Sequence, residues 1–276
     1  MLKDFLNSLK SFSTNLFELR GELSKLQTTA IGLVGFVFIL IIWHFITSGN
    51  EEIQALLPSP GSVFGSFGEL HYEGFLLENS WTSIVRNFHG YFKAIVYAIP
   101  IGFLIGLFPF FRALFSKYVD AIRFIPLAAT TGIFIIWYGI GEDVKVNFLA
   151  FGIFVYLLPI VVQRVEGVEK VYLQTAKTMG ASKWQTIKTI FIPDVFSRVF
   201  DDVRVIVAIS WTYIVIAELI NNQGGLGVMI HTAARQSRID KVFAILLTIV
   251  VIGILQDFLF KWLNRVLFPH KYVNKH

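Results

Sequence analysis

Cysteine and charge are the two things this sequence has least of. None of its 276 residues is cysteine, which excludes disulfide bonds and thiolate metal sites. Asp, Glu, Lys and Arg make up only 16% of the chain, against about 25% in soluble domains. With 55% hydrophobic residues and a mean hydropathy of +0.64, such a chain has too little charge for the surface of a soluble domain. The composition therefore argues against a soluble enzyme and a disordered chain, and it indicates a protein that crosses a membrane several times.

Long uncharged stretches locate the predicted membrane helices. A span needs about 20 mostly apolar residues, and four intervals between charged residues provide them: Lys25 to Glu51, Lys93 to Arg112, Arg123 to Glu142 and Lys145 to Arg164. Two shorter ones, Val205–Ala217 and Val242–Gln256, reach spanning length if flanking charged side chains extend to the headgroups. We therefore predict an all-α membrane protein with six transmembrane helices. The alternative is four spans and two buried amphipathic helices.

The distribution of Lys and Arg predicts the orientation. With both termini in the cytoplasm, most of the 24 basic residues fall in the inside segments, and the first outside loop is acidic, as the positive-inside rule requires. The largest inside group lies between residues 164 and 204 and consists of Arg164, Lys170, Lys177, Lys183, Lys188, Arg198 and Arg204. The positive net charge of +5 therefore indicates membrane orientation and does not indicate a nucleic-acid partner.

The segments outside the spans divide the chain into four predicted parts. Residues 1–28 repeat apolar side chains at alternating steps of three and four, which favours an interfacial amphipathic helix and also permits a coiled coil. Residues 29–48 are the first transmembrane helix, and residues 49–90 form an external loop with short helices. Residues 91–276 form a five-helix core that includes a cytoplasmic loop at 164–194.

This cytoplasmic loop has a sequence pattern that a simple linker would not need. A helix is predicted over Glu166–Met179, with Gly180 as its left-handed cap. Ser182 and Gln185 form a Ser-x-x-Gln capping box that starts a second helix. Pro193 either ends that helix or opens the fifth span. Two helices around a glycine turn, with Met179 and Trp184 as apolar surface, predict an element that docks onto another protein.

At this loop the sequence resembles a known family. Gln174-Thr175-Ala176, Gly180 and Ile190-x-Ile192-Pro193 are similar to the Glu-Ala-Ala…Gly…Ile-x-Leu-Pro signature of permease subunits of ATP-binding-cassette importers. Gln174, Thr175 and Ile192 depart from the signature, and the missing acid removes an ionic contact that the family can make there. Further matches, which lie over residues 57–269, resemble the nitrate/sulfonate/taurine/bicarbonate branch: Leu57-Pro58-Ser59-Pro60, Ser83…Arg86…Gly90, Ile101-Gly102…Gly106, Ile125-Pro126-Leu127, Trp137 to Glu142, Gly180 to Gln185, Ala217-Glu218-Leu219, Gly225-Leu226-Gly227 and Asp257.

The resemblance implies a type I importer permease in a bacterial inner membrane. It further implies a second permease subunit, identical or paralogous, a dimer of ATPase subunits and an external substrate-binding protein. The cytoplasmic loop would then be the coupling helix that contacts the ATPase, through Gln174, Thr175, Ala176, Met179, Gly180, Ala181, Ser182, Trp184 and Pro193. The sequence has no Gly-x-x-x-x-Gly-Lys-Ser/Thr phosphate loop, so we expect ATP and Mg²⁺ to bind the partner, and we expect this chain to have no cofactor, metal or catalytic residue.

Polar groups inside the spans are the candidates for the translocation pathway. They are Thr130, Thr131, Tyr156, Ser210, Trp211, Thr212, Tyr213 and, near the outer end of the fifth span, Glu218. Their hydroxyl, phenol and indole donors suit a small oxyanion, although such groups also bond to their own helix backbone or lie at headgroup level. Near the inner surface we predict an ion pair between Arg204 and Asp257, because an unpaired charge there would be costly. Lys261, one turn beyond Asp257, is the local alternative partner.

Two other functional classes compete with the importer permease. A secondary transporter or channel not driven by ATP would have charged residues or broken helices at mid-membrane in two related halves, and no internal duplication is visible. An intramembrane enzyme would have a nucleophile–base pair or a His-Glu-x-x-His metal site, and the sequence contains neither. The sequence does not identify the substrate, for which nitrate, sulfonates, taurine, bicarbonate and vitamin precursors all remain open.

Overall fold

The computed structural model describes residues 19, 21, 23–49 and 51–272, and every regular element in them is helical. The predicted N-terminal amphipathic stripe therefore lies mostly outside the described residues. The α-helices are α1 (Lys25–Thr47), α2 (Glu51–Leu56), α3 (Pro60–Tyr72), α4 (Leu76–Leu107), α5 (Pro109–Ile122), α6 (Thr131–Tyr138), α7 (Glu142–Glu166), α8 (Lys170–Thr178), α9 (Lys183–Thr186), α10 (Ile192–Glu218), α11 (Leu226–Arg235) and α12 (Ile239–Leu267). Short 3₁₀ turns at Leu127–Thr130 and Pro269–Tyr272 and a π turn at Ile187–Phe191 complete the set.

The chain divides into two compact units, residues 1–65 and 66–276, and the boundary falls within the sequence of α3. In the first unit, Ser24 caps α1 through a capping box with Gln27, which satisfies backbone N–H groups at the helix start. The indole of Trp43 donates to the carbonyl oxygen of Pro58 at 2.9 Å, and the amide of Gln54 donates to the carbonyl oxygen of Thr47 at 2.7 Å. These two bonds fix the turn that follows the first apolar helix.

Four helices of the described chain are long and apolar enough to cross a membrane: α1, α4, α7 and α12. A fifth span is obtained if α5 and the Leu127–Tyr138 segment, which are bent by 99° relative to each other, count together. The predicted fifth span falls within α10, which is 27 residues long but has several charged residues in its first half. The helical membrane architecture is therefore as predicted, while the described residues give four candidate spans, or five with the bent pair, and not the six expected.

The second and third predicted spans need correction. The second is not confined to the interval from Lys93 to Arg112, because α4 begins at Leu76 and buries Ser83, Arg86 and Asn87 within a 32-residue helix. The third is not one helix: the chain makes a 3₁₀ turn after Pro126, and the α-helix begins only at Thr131. Proline lacks a backbone N–H and so favours a break at this point.

The loop predicted to be cytoplasmic also departs from its expected helix bounds. The expected helix over Glu166–Met179 is divided, since α7 ends at Glu166 and α8 covers Lys170–Thr178. The Ser182–Gln185 capping box is present. Of the two roles left open for Pro193, the structure shows the second, because this proline lies in the first turn of α10. Proline is tolerated there, because a backbone N–H in the first turn of a helix would have no intrahelical acceptor.

The core of the second unit is the packing of α4 against α7, and α10 packs against α7 and also contacts α4. Small residues let α4 and α7 approach closely. A Cβ built on Gly102 would lie 2.5 Å from Cγ1 and 2.7 Å from Cβ of Val161, and one on Gly106 would lie 2.6 Å from Cβ of Val165. Gly102 and Gly106, which are four residues apart, thus form a small-xxx-small contact face, and α7 is the helix that it meets.

We therefore expect Gly102→Ala to destabilise the protein by about 1–3 kcal/mol, because the added methyl group forces the two helices apart. Thermal unfolding in detergent measures the effect. Gly253→Ala in α12 is the matched control, since no atom lies within 4 Å of its added Cβ and it gains the same helix propensity. Equal melting temperatures for the two variants would contradict the close-packing interpretation.

Candidate functional site

The first candidate region is a mostly buried group of four charged side chains that joins three helices of the second unit. It consists of Arg86 on α4, Glu142 and Lys145 on α7, and Glu218 at the end of α10, and we call it the four-charge cluster. Arg86 donates to both carboxylate oxygens of Glu142, at 2.7 and 2.6 Å, and to Glu218 at 3.1 Å. Lys145 donates to Glu142 at 3.0 Å. The two cations and two carboxylates balance, and Arg86, Lys145 and Glu218 are buried while the Glu142 side chain is 53% exposed.

Glu218 is the most enclosed member of this cluster. Its side chain is 0% exposed, and that of Arg86 is 6% exposed. Besides the bond from Arg86, its carboxylate accepts hydrogen bonds from the hydroxyl of Ser83 at 2.6 Å and the backbone N–H of Gly227 at 2.7 Å. A buried carboxylate is tolerated only with such charge-assisted partners. Glu218 thus has no exposed surface in the described chain, and its role in the pathway stays a prediction.

The four-charge cluster also holds the segment between α10 and α11. Arg86 donates to the carbonyl oxygens of Gln223 at 2.6 Å and Gly224 at 2.7 Å. Gly225 has φ +106°, and a Cβ there would lie 2.2 Å from a carboxylate oxygen of Glu218. Only glycine fits both conditions. The contacts therefore fix a glycine turn at residues 223–225 onto α4.

Sequence reasoning singled out only Glu218 of this cluster as a site residue. Arg86 entered through a family motif, Lys145 as a boundary of a predicted span, and Glu142 in both ways. No local pattern could bring them together, because residues 86, 142 and 218 lie on different helices. The spacing of charges at the ends of predicted spans was the one available signal.

The predicted pathway residues lie in different surroundings. The hydroxyls of Thr130, Thr131 and Thr212 donate to backbone carbonyls three or four residues earlier. Ser210 is buried and contacts Asn87 at 3.1 Å, while the indole of Trp211 donates to Gln256 at 2.8 Å. The hydroxyls of Tyr156 and Tyr213 are 3.1 Å apart. Their role in the pathway stays a prediction.

Arg204 and Asp257 do meet. Arg204 donates from Nη2 to Asp257 at 3.2 Å and also from Nε to the same carboxylate. Lys261 binds the other side of that carboxylate at 2.7 Å, so both partners considered from the sequence contact Asp257. The side chains are partly exposed, and this triad joins the middle of α10 to the second half of α12.

A second, exposed ion cluster links α3 to the start of α12. Arg238 and Lys241 donate to Glu69 at 3.0 and 2.7 Å, and Arg238 also pairs with Asp240 at 2.8 Å. The hydrogen bonds from Lys241 and Arg238 hold the pKa of the Glu69 carboxyl below its ordinary value. Because water screens exposed pairs, this cluster is the natural comparison for the buried one.

The predicted docking loop is the second candidate region. Gly180 has φ +74°, as a left-handed helix cap requires, and the backbone N–H of Ala181 closes the turn by donating to the carbonyl oxygen of Ala176 at 2.9 Å. Met179 and Trp184 on either side of the turn are 81% and 68% exposed. Pro193 lies beyond the π turn at Ile187–Phe191. A folded loop with two large apolar side chains in solvent has the character of a protein-contact surface.

The pairing of charges in the four-charge cluster predicts that removal of its arginine lowers the stability of the protein. We expect Arg86→Met to destabilise the protein by about 3–5 kcal/mol, because it leaves Glu218 buried without its cation. Thermal or denaturant unfolding in detergent measures the loss. Arg238→Met is the control: it removes an arginine that also bridges two carboxylates, but on the surface. If both variants unfold alike, burial is not what makes the four-charge cluster important.

Comparison with known proteins gives results for most of the chain. Residues 98–268 match the family described as "Binding-protein-dependent transport system inner membrane component". The "Taurine transport system permease protein TauC" of Escherichia coli strain K12 is 27% identical over 91% of this chain and 92% of its own. The "Putative aliphatic sulfonates transport permease protein SsuC" of Bacillus subtilis strain 168 is 28% identical over 86% of each.

Among solved structures, an inward-facing form of the MetNI methionine ABC transporter is similar to this fold. One of its chains aligns with a TM-score of 0.59 and 19% identity, over 70% of this chain and 96% of that chain. Likeness at this identity concerns the fold. It shows that the helical arrangement is that of a type I importer permease.

Proposed function

Because the chain belongs to the family of binding-protein-dependent transport system inner membrane components, we propose that it imports a small sulfonate-like anion with energy from a separate ATPase. The family makes it a permease subunit of an ABC importer. Its likeness to taurine and sulfonate permeases along most of both chains supports this substrate class. The observation that most directly supports ATP coupling is the exposed docking loop at Gly180.

The mechanism follows from the placement of this loop. The loop is continuous with two long helices, since α8 follows α7 after a short turn and α9 continues through the π turn into α10. A push on the loop is therefore transmitted to α7 and α10, which pack against each other. Closure of an ATPase on ATP would move both helices as rigid bodies, because packed interfaces shift between discrete arrangements and do not deform continuously.

The partners and the location are part of the same proposal. They are a dimer of ATPase subunits that binds ATP and Mg²⁺, a second permease subunit, an external substrate-binding protein and a bacterial inner membrane. Both termini would lie in the cytoplasm, and this chain would have no catalytic residue or cofactor of its own. The basic residues on the loop side support that orientation.

Trp184→Ala tests the docking surface. An exposed side chain contributes little to the fold of the isolated chain, so we expect the variant to insert and purify normally. We also expect it to lose most of the ATPase that co-purifies with a tagged wild-type chain, because exposed Trp residues at interfaces are frequent hot spots. Trp81→Ala is the matched control, since this tryptophan is 66% exposed but lies on α4, away from the loop. ATPase retention by Trp184→Ala would contradict the assigned surface.

Uptake tests the substrate class and the energy source. The complete complex, reconstituted in vesicles with its binding protein, should accumulate labelled taurine or methanesulfonate only when ATP is present on the ATPase side. Riboflavin serves as the neutral comparison solute. Accumulation without ATP would favour a secondary transporter or channel. Transport of riboflavin without transport of either sulfonate would contradict the proposal that the substrate is an anion.

A further inference from the structure

A cavity of about 330 Å³ lies between α4, α6 and α7, within the second unit. Most of its lining is aromatic, with one cation and one amide among the residues Lys93, Tyr97, Trp137, Tyr138, Asn147 and Phe151. Its volume falls in the range of small-molecule sites, which are mostly apolar with a few placed polar groups. None of the pathway residues predicted from sequence lines it.

Lys93 differs from the other cations of the membrane core in its partners. Arg86, Lys145 and Arg204 each bind a carboxylate. Within the described part of the chain, Lys93 binds only the neutral side-chain oxygen of Asn147, at 2.8 Å. A lysine ammonium has three donors and no acceptor. Its positive charge is therefore not neutralised, and it has donors to spare on the cavity side.

The aromatic lining offers further donors. In the described residues, the hydroxyl groups of Tyr97 and Tyr138 and the indole N–H of Trp137 make no hydrogen bond. The rings of Trp137 and Tyr138 pack against the ring of Phe134, with centroid distances of 5.8 and 5.9 Å. Asn147 cannot reverse its amide freely, because its NH₂ group donates to the backbone oxygen of Asp143 at 2.8 Å. The amide oxygen thus stays directed at Lys93, and the unused groups around the cavity are donors.

The position of the cavity relates it to the four-charge cluster. Lys93 follows Arg86 by seven residues and Asn147 follows Glu142 by five, which places them about 10 and 7.5 Å further along their helices. Both displacements lead from the predicted outer surface into the membrane. The cavity therefore lies directly inward of a cluster whose own charges balance.

From these contacts we infer that Lys93, positioned by Asn147, is an anion-binding residue of the translocation route. The ammonium and the phenol and indole donors would bind the oxygens of a small sulfonate or similar oxyanion, which offers acceptors only. A single lysine attracts the anion without the bidentate grip of an arginine, and passage needs a site weak enough to release its ion. This inference rests on the proposed function and names the residue that recognises the substrate charge.

Four variants of the complete reconstituted complex test it, with labelled methanesulfonate and taurine as probes. Lys93→Met removes the charge, Asn147→Asp neutralises it with a carboxylate of the same size, and Lys93→Arg keeps it. Lys117→Met, which removes an exposed cation on α5, is the control. ATP-driven uptake and ATP hydrolysis stimulated by the binding protein are measured on the same vesicles.

We expect Lys93→Met and Asn147→Asp each to lower sulfonate uptake about tenfold, as the loss of one hydrogen bond to a charged group implies. Stimulated ATP hydrolysis should stay close to wild type in both, and Lys93→Arg and Lys117→Met should still transport. Normal uptake by Lys93→Met and Asn147→Asp, with wild-type uptake intact, would overturn the Lys93 site alone. An equal fall in hydrolysis and uptake would also overturn it, by showing a structural role. Wild-type complex that transports riboflavin but neither sulfonate would instead overturn the proposed substrate class.

Discussion

The buried carboxylate of Glu218 is the constraint on which the packing of α4, α7 and α10 depends. A carboxylate with no exposed surface needs a cation and further donors, and these come from α4 and from the start of α11. The cation, Arg86, must in turn be shared with Glu142 on α7. Satisfying one buried charge therefore fixes the relative positions of three long helices and the glycine turn before α11.

The charges of the membrane core divide by what neutralises them. In the four-charge cluster the opposite charges balance, and such a group holds helices together while presenting little net field. At Lys93, in contrast, the described partner is an amide, and the neighbouring rings offer more donors. A transport protein needs both arrangements, since a neutral cluster can join moving helices without trapping an ion, and an uncompensated cation can attract one.

Much of the architecture could be predicted because it depends on local sequence. The long apolar intervals predicted the helices, Ser182 and Gln185 predicted the capping box, and Gly180 predicted the left-handed cap. The errors occurred where tertiary contacts override composition. Lys93 was expected at the boundary of the second span, yet α4 begins at Leu76 and includes both Arg86 and Lys93, because Arg86 is neutralised by partners from other helices.

The sequence by itself therefore determined the membrane class, the helical content, the form of the docking loop and, through its motifs, the resemblance to importer permeases. These depend on hydropathy, capping and turn chemistry, which act over a few residues. Only the tertiary structure decided which charges are neutralised and which remain available. The reason is physical: the energy of a buried charge is set by neighbours that lie far away in sequence, and residues 86, 142 and 218 become neighbours only when α4, α7 and α10 have packed.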